Sequence, residues 1–518
     1  MNNTALLRAL VIYAVCVPLA ILAGYWLMLA VNEETRFSFG VVGTLLLVLC
    51  LPILLRWHNP LLLLAWNLPV AIFFINGAPN MFLLMVPVSL LISILQRATN
   101  PKFHFVRAPQ ITLPLCALIL VILITAKLTG GFGLRSMGGS VMGGRKYIFL
   151  LVGIFGYFAL TAQRIPPQRA RLYTALFFLS GVASALSDLA TRFPIPVVPL
   201  LFGEDISMLT ARFNPYSTLR FAGVGLAGTA VFTYMLVRHG IRDSFLAPSL
   251  NVRLFRMMAL FLSFAAIFFG GFRSAVLFAA LVFLLQFFLE GLHRTKLLPI
   301  GLFLASLTAM TCLPFTEKLP PAVQRSICFL PVQVDPSVRM DAQASLDWRV
   351  KMWQAILPEV PQHLLLGTGY AIATSDFQFM GNSAFHEINP AQQALALAGD
   401  FHNGPLSVIL PFGIWGMVAM VWFVLAGIWA LYRNYRYGDP EFKIINTALF
   451  ALFVSRALMF FFAAGFFQLD IAAFAGYLGF GIALNGGICR RNASVPAPQP
   501  VGKPAAALLL QPAFPRQA

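Results

Sequence analysis

Long apolar segments alternate with short polar segments along most of this sequence, a pattern typical of a membrane protein with many spans. An α-helix needs about 20 apolar residues to cross a bilayer. By this measure the sequence predicts about fourteen transmembrane helices in an all-α polytopic fold. They lie at residues 6–31, 39–55, 61–77, 81–95, 111–127, 147–163, 172–190, 219–237, 257–271, 274–292, 297–313, 404–432, 444–464 and 468–488.

One polar segment, residues 314–403, is far longer than the others. At roughly ninety residues it exceeds an ordinary connection between helices, so we predict a large extracytoplasmic loop that contains short helices. Within it, the stretch ASLDWRVKMWQAILPEV has helical spacing. The apolar positions on one face of this predicted helix are Leu346, Val350, Trp353 and Leu357.

The loop divides the chain into four parts. We expect transmembrane helices over residues 1–313, the large periplasmic loop over 314–403 and further transmembrane helices over 404–489. Residues 490–518 are rich in Pro and Ala and cannot bury enough apolar surface to fold. They predict a disordered cytoplasmic tail.

Charge places the chain in the membrane and orients it. Only 10% of the residues are charged, against roughly a quarter in soluble domains. The net charge of +18 does not indicate a nucleic-acid partner, because no basic cluster falls in a soluble domain. With a cytoplasmic N-terminus, about 21 of the 36 basic residues fall in predicted cytoplasmic segments, as the positive-inside rule requires. We therefore predict both termini in the cytoplasm.

The six cysteines indicate no metal site. The sequence contains no CxxC motif and no Cys/His spacing typical of zinc. Cys312 and Cys328 flank the start of the large loop. The sequence leaves open whether they form a disulfide, which would require an oxidising compartment.

Three polar side chains stand out, and each lies on the predicted outer side. Arg273 interrupts the apolar run FFGGFRSAVLFAAL, where a charge costs several kcal/mol without a partner or water. Arg349 and Lys351 lie in SLDWRVKMWQAI, a basic helix edged with Trp that suits a membrane surface. His402 begins the next span and is a natural general base, and Asn403 could orient its ring or bind a hydroxyl.

Each of these residues taken alone also fits a structural role. Arg273 would then snorkel at a helix end, and His402 would be a satisfied interface residue. Together, two arginines and a histidine at one membrane face suit a lipid-linked phosphate or diphosphate with a proton acceptor beside it. Arg456 is a further intramembrane charge, for which we expect a structural pair with Asp470 or Asp188, or else a contact to the same phosphate.

The order of these motifs resembles the O-antigen ligase and O-antigen polymerase-like superfamily of bacterial envelope polysaccharide glycosyltransferases. The similar stretch covers roughly residues 215–425. An arginine after small residues (GGFRSAVL) is followed by R-x-x-x-W, G-x-G and His-Asn-x-x-Leu, with later glycines. The matching residues are Arg273, Arg349, Trp353, Gly367, Gly369, His402, Asn403, Leu406, Gly413 and Gly416.

The resemblance implies an enzyme of the inner membrane that acts at its outer face. Such enzymes move a glycan from an undecaprenyl-diphosphate carrier to an acceptor, with inversion and without metal, nucleotide or other cofactor. In ligases of lipopolysaccharide the acceptor is lipid A–core, and in polymerases it is another carrier-linked repeat. The sequence does not determine the sugar, the acceptor, ligase against polymerase, or the oligomeric state.

The resemblance also implies roles for individual residues. Arg273 and Arg349 would bind the diphosphate, with His402 as the catalytic base. Arg220, in STLRFAGVGLAG, loosely matches a further diphosphate-binding arginine, although the Pro-Asn that often follows it is absent here. Asn403 and Lys351 would support this site.

Two other functions remain open. A secondary transporter of small anions would use the same arginines at mid-depth in the membrane. A non-catalytic envelope protein would keep the fold without the chemistry.

Overall fold

The structure is a computed structural model of the chain. It describes residues 53–72, 78–100, 104–129, 144–192, 201–202, 220–370 and 399–491. The predicted span at 6–31, most of the span at 39–55 and nearly all of the predicted tail lie outside these residues.

The described residues form α-helices with short 3₁₀ segments. In chain order the helices are α1 (53–66), α2 (Met81–Thr99), α3 (Pro109–Thr129), α4 (Gly144–Leu160), α5 (Ala170–Leu179), α6 (Ala185–Arg192), α7 (Ala222–His239), α8 (Leu250–Phe269), α9 (Arg273–Leu289), α10 (Leu297–Cys312), α11 (Pro321–Ile327), α12 (Pro336–Ile356), α13 (Gly404–Tyr437), α14 (Lys443–Phe462) and α15 (Phe467–Asn485), with a single helical turn at Arg242–Phe245. Within these ranges no β-strand occurs beyond one isolated bridge between Ala71 and Asn80.

The predicted all-α membrane class is confirmed. Seven helices of the described part are long and apolar enough to cross a membrane, and α9 and α10 are apolar but shorter. The predicted total of about fourteen spans remains a prediction, because it includes segments outside the described residues.

The core of the bundle lies where α13, α14 and α15 pack together. Phe453, Phe474 and Phe480 are fully buried there. Small residues on α15 let neighbouring helices approach, as in membrane proteins generally. A Cβ atom on Gly476 would lie 2.4 Å from the indole nitrogen of Trp66.

Glycines also bring α7 against α8. A Cβ on Gly225 would lie 2.7 Å from the Cα of Gly270, and one on Gly228 would lie 2.7 Å from the Cβ of Ala266. This close approach leaves Arg220, just before α7, beside the break between α8 and α9. The Gly-rich sequence GVGLAG therefore decides where Arg220 lies.

The α8–α9 break is only three residues long, at 270–272. Gly271 adopts φ +68°, a conformation that favours glycine. A Cβ at Gly271 would meet the aliphatic carbons of Arg220 at about 3 Å. Arg273 follows as the first residue of α9.

Helix α13 contains a break, and the G-x-G segment forms hydrogen bonds with the backbone that the break exposes. Pro411 lies inside the helix, and Gly413 has φ 63° and ψ −165°. The break frees the carbonyls of Leu410 and Pro411, which accept hydrogen bonds from the backbone N–H groups of residues 368 (2.8 Å) and 369 (2.9 Å). Backbone groups freed inside a membrane helix need such partners.

The helix ends gather at two ends of the bundle. We call one of them the loop end; it contains residues 220–222, 270–273, 321–356, 400–407 and 463–467. There the N–H of Phe467 donates to Ser407 Oγ at 3.2 Å. The opposite, basic end contains residues 163–171, 238–256, 290–296 and 433–443. There the hydroxyl of Tyr435 donates to the carbonyl of Leu289 at 3.1 Å.

The helix predicted in the loop segment is present as α12, but a different face of it is buried. Helix α12 begins at Pro336, and its preceding residue Asp335 caps it by accepting from the N–H of Ser337. Leu346, Val350 and Leu357 of the predicted stripe are exposed, whereas the buried residues are Val338, Ala342, Trp348, Met352 and Ile356. The element against which the helix packs selects the covered face, and spacing alone does not reveal it.

Candidate functional site

Helix α12 packs against the residues that precede α13. The indole Nε1 of Trp353 donates to the carbonyl of Phe401 at 2.7 Å. Trp348, Met352 and Ile356 share an apolar cluster with Phe401, Leu406 and Leu410. This packing holds the segment that contains His402 against the helix that contains Arg349.

The imidazole of His402 lies between two aromatic rings. Its centroid is 5.2 Å from that of Trp348, edge to face, and 4.5 Å from that of Phe466. Its backbone has φ 51°, which is unusual for a residue other than glycine. Burial, and then the charge of Arg349, lower the pKa of His402 to about 4, so the ring is neutral at pH 7.

Arg349 follows Trp348 on α12 and acts on this histidine through its charge. Burial, with the charges of Arg273 and Arg325, lowers the pKa of Arg349 to about 10, and the group stays protonated at pH 7. Within the described residues, the buried Nε of Arg349 and the buried Nδ1 of His402 make no hydrogen bond. A buried donor without a partner costs about 1–3 kcal/mol, which an anionic ligand would recover.

Asp341 connects two further arginines. Its Oδ2 accepts from Arg325 Nε at 2.7 Å and lies 3.7 Å from Arg220 Nη2. Arg325 Nη1 also donates to the carbonyl of Gly271 at 2.9 Å. One carboxylate therefore faces two cations, which tie α11 and α12 to the start of α7 and to the α8–α9 break.

Arg273 joins the same group from α9. Its Nη2 donates to the carbonyl of Ala342 on α12 at 3.3 Å. The predicted residues Arg220, Arg273, Arg349 and His402 thus lie at one end of the bundle, linked through α12. We call Arg220, Arg273, Arg325 and Arg349 the arginine cluster.

Comparison with known families covers the same part of the chain. Residues 258–421 match the family model described as O-antigen ligase. This part of the chain is similar to O-antigen ligases. The predicted resemblance is confirmed, and the matched stretch includes Arg273, Arg349 and His402 but not Arg220. No curated protein was found to match the chain. The match over residues 258–421 supports glycan transfer of the ligase or polymerase type, on a lipid-linked glycan in a bilayer.

Arg325 is the member of the arginine cluster that the sequence did not suggest. It is only 4% exposed, on the buried face of the short helix PAVQRSI. The available sequence signal was that a helix over this stretch places the charge of Arg325 on the same face as the small residues Ala322 and Ser326. The proline-rich surroundings of α11 hide this signal, because they are typical of an irregular segment.

Lys146 and Asp400 form a second group that the sequence did not suggest. The Nζ of Lys146 lies 5.2 Å from the centroid of the Tyr370 ring. Burial raises the pKa of Asp400, two residues before His402, and the charge of Lys146 opposes this rise. A partly buried carboxylate with an amine near it therefore lies two residues before the histidine.

The two predicted supporting residues occupy different positions. Asn403 is the N-cap of α13, because its Oδ1 accepts from the N–H of Leu406 at 3.1 Å. Lys351 is exposed, and two residues along a helix from Arg349 it faces the other side. Their support of the site stays a prediction.

The intramembrane charge Arg456 forms an ion pair with Asp470, which was one of the expected structural pairs. Asp470 also accepts from the N–H of Phe466 at 2.6 Å. Because the Phe466 ring packs on His402, this pair helps to position one wall of the histidine's pocket. The other expected partner, Asp188, instead accepts from the N–H of Val224 at 2.7 Å.

The described part of the chain contains free cysteines and shows no candidate metal site. Cys328 is a free thiol and donates to the carbonyl of Arg325 at 3.1 Å. Among the described residues, no group of three His, Cys, Asp or Glu side chains could hold a metal ion.

Proposed function

We propose that this protein transfers or polymerises a glycan from an undecaprenyl-diphosphate carrier onto a lipid- or carrier-linked sugar acceptor, at the outer face of the inner membrane. The reaction would invert the anomeric carbon and need no metal. The observation that carries the proposal is that α12 holds the cation Arg349 beside the neutral imidazole of His402.

The arginine cluster suits a diphosphate leaving group. As the bond between the anomeric carbon and the phosphate oxygen breaks, negative charge accumulates on the diphosphate and needs fixed positive partners. Arg349, Arg273 and Arg220 can supply them through guanidinium forks. Arg325 has Nε and Nη1 engaged by Asp341 and Gly271, so we assign it a positioning role.

His402 suits the acceptor. The acceptor hydroxyl attacks the anomeric carbon and loses its proton, which a neutral imidazole can accept. With a pKa of about 4 in the free protein, the ring is available for this at neutral pH. The new glycosidic bond forms, the carrier leaves as its diphosphate, and the imidazolium returns its proton to solvent.

The donor would itself increase the basicity of His402. Arg349 is one cause of the lowered pKa of His402. A bound diphosphate would offset that charge, and the pKa of His402 would then rise towards the operating pH, where general bases work best. The proton acceptor would thus be strongest when the donor is present.

The position of the cluster favours transfer over transport. A transporter of small anions is expected to hold its ligand near the bilayer midplane, between broken helices. Arg220, Arg273 and His402 instead lie immediately before or at the first residue of α7, α9 and α13. The basic end lies opposite, and the positive-inside rule assigns that end to the cytoplasm.

The test is transfer by the purified full chain in vesicles, with an undecaprenyl-diphosphate-linked glycan as donor. We expect His402→Ala to lower kcat by about 10²–10⁴-fold, the usual contribution of a general base. His363→Ala is the matched control, since His363 is exposed and lies in the same segment of the chain. Turnover at the wild-type rate in a folded His402→Ala protein would remove the base assignment.

A further inference from the structure

A second group of arginines lines a cavity at the basic end. The cavity has a volume of about 360 Å³ and lies between the ends of α5, α7, α8 and α14. Arg171, Arg238 and Arg256 line it, together with the carboxylates Asp243 and Glu441. Arg238 lies near the end of α7, eighteen residues after Arg220, which corresponds to about 27 Å at 1.5 Å per residue. The cavity is therefore separate from the arginine cluster.

Its cations are not neutralised by contact. Within the described part of the chain, none of Arg171, Arg238 and Arg256 lies within 4.0 Å of a carboxylate oxygen. Among the described residues, the Arg256 side chain donates from Nη1 to the backbone carbonyl of Asp243, at 3.0 Å. Three guanidinium groups against two carboxylates leave a net positive charge in the cavity.

The backbone around the cavity adds to this potential. Ala170 and Arg171 begin α5, and Pro167 lies in the 3₁₀ turn that leads into it. Ile444 and Ile445 lie in the first turn of α14, and Phe442 ends the 3₁₀ turn before it. Two helix N-termini therefore border the cavity, and their dipoles favour an anion. Phe442 and the two isoleucines give the cavity an apolar wall.

We propose that this cavity binds a phosphate group, carried by the headgroup of an anionic phospholipid or by a soluble phosphate ester. Arginine forks match phosphate oxygens, and the volume lies within the range of small-ligand sites. Basic pockets between membrane helices near the cytoplasmic surface take anionic headgroups in this way. The proposal does not depend on the glycan-transfer function, because it uses other residues at the other end of the bundle.

The test compares two double variants of the full chain that lose the same charge. Arg238→Gln with Arg256→Gln removes two cavity cations, whereas Arg294→Gln with Lys296→Gln removes two exposed cations at the same end of the bundle. Each protein is placed in nanodiscs of phosphatidylglycerol or phosphatidylcholine, and retained lipid is measured by native mass spectrometry. A second arm adds inorganic phosphate and measures the unfolding temperature.

We expect the cavity variant to lose phosphatidylglycerol affinity by about thirtyfold, while the control changes little. That outcome identifies a lipid headgroup as the source. A phosphate-dependent rise in unfolding temperature that only the cavity variant lacks would support the site with a soluble phosphate as its ligand. Equal behaviour of the two double variants in both arms would overturn the proposal.

Glu441→Gln keeps the test decisive if the cavity variant does not fold. Glu441 is exposed and lines the cavity, so its loss should leave the fold intact while removing a repelling carboxylate. We expect this variant to bind phosphatidylglycerol or inorganic phosphate more tightly than the wild type, by several-fold. Unchanged binding of both probes would contradict a phosphate site.

Discussion

His402 owes its properties to neighbours that are distant in sequence. The rings of Trp348 and Phe466 remove water from the imidazole, and Arg349 adds a like charge. Both effects disfavour the imidazolium, so the folded protein keeps a neutral base at neutral pH. The positive φ of this residue places the ring in the pocket at a cost in backbone strain.

The pH dependence of transfer should show this environment. The neutral ring is required, and its pKa is about 4, so kcat/KM should be flat near neutrality and fall only as the pH approaches 4. Arg349→Gln removes a cation, which raises the pKa of His402 and moves the acid limb to higher pH. Arg339→Gln removes the same charge from an exposed part of α12 and should leave the limb in place. A limb that stays near 4 in Arg349→Gln would contradict the coupling.

Asp341 is the residue whose loss should most affect folding of the loop end. Its carboxylate faces the buried Arg325 and also Arg220. Asp341→Asn would leave a buried guanidinium without its counter-charge, which we expect to cost about 3 kcal/mol of unfolding free energy. Denaturant titration of the detergent-solubilised chain measures this loss. Asp347→Asn, an exposed change on the same helix, should cost less than about 0.5 kcal/mol, and equal losses would argue against the proposed ion pairs.

At the scale of elements, the break in α13 and the G-x-G segment depend on each other. Pro411 and Gly413 open the helix, and backbone N–H groups of residues 368 and 369 bond to the freed carbonyls. Gly367 makes this approach possible, because a Cβ there would lie 2.2 Å from the carbonyl oxygen of Pro411. Two motifs that are about forty residues apart in sequence therefore form one backbone unit.

A pair of glycine substitutions separates the close approach from backbone strain. Gly367 and Gly291 both have φ +73°, but a Cβ on Gly291 would meet nothing within 4 Å. Gly291→Ala should cost only the strain of the left-handed conformation, about 1–2 kcal/mol. Gly367→Ala adds a backbone clash and should destabilise the chain clearly more in the same denaturant titration. Equal costs would show that the contact with α13 carries no energy.

At the scale of the molecule, the two groups of arginines lie at opposite ends of the bundle. The arginine cluster and His402 lie at the loop end, and the arginines of the phosphate cavity lie at the basic end. Anionic phospholipid attracts the cytoplasmic, basic end of such proteins. A lipid-linked donor at the opposite leaflet would meet the arginine cluster instead.

Labelling of single cysteines tests this orientation. In a chain without its native cysteines, Lys351→Cys at the loop end and Arg294→Cys at the basic end are both exposed positions. A membrane-impermeant maleimide should label only Lys351→Cys in spheroplasts, and both positions after the membrane is permeabilised. Labelling of Arg294→Cys alone in intact spheroplasts would place the arginine cluster in the cytosol and overturn the proposed function.

Much of the site could be predicted because its residues break an apolar pattern. Arg273, Arg349 and His402 interrupt or border apolar runs, and charge in lipid has few explanations. Arg325 was missed because a buried arginine in a polar-looking segment gives no such contrast. The pairing of Arg456 with Asp470 was predictable, since both charges lie in neighbouring apolar helices and need a partner.

Apolar length, charge bias and motif order are local properties of a chain, so they were enough to predict the helical membrane class, the ends at which basic residues gather and the similarity to O-antigen ligases. The packing of the helices was needed to show which face of α12 is buried, that Asp341 faces two arginines, and that Arg349 lowers the pKa of His402. Those outcomes depend on which surfaces meet when the helices pack, and contacts between segments tens to hundreds of residues apart leave no periodic signal in either segment.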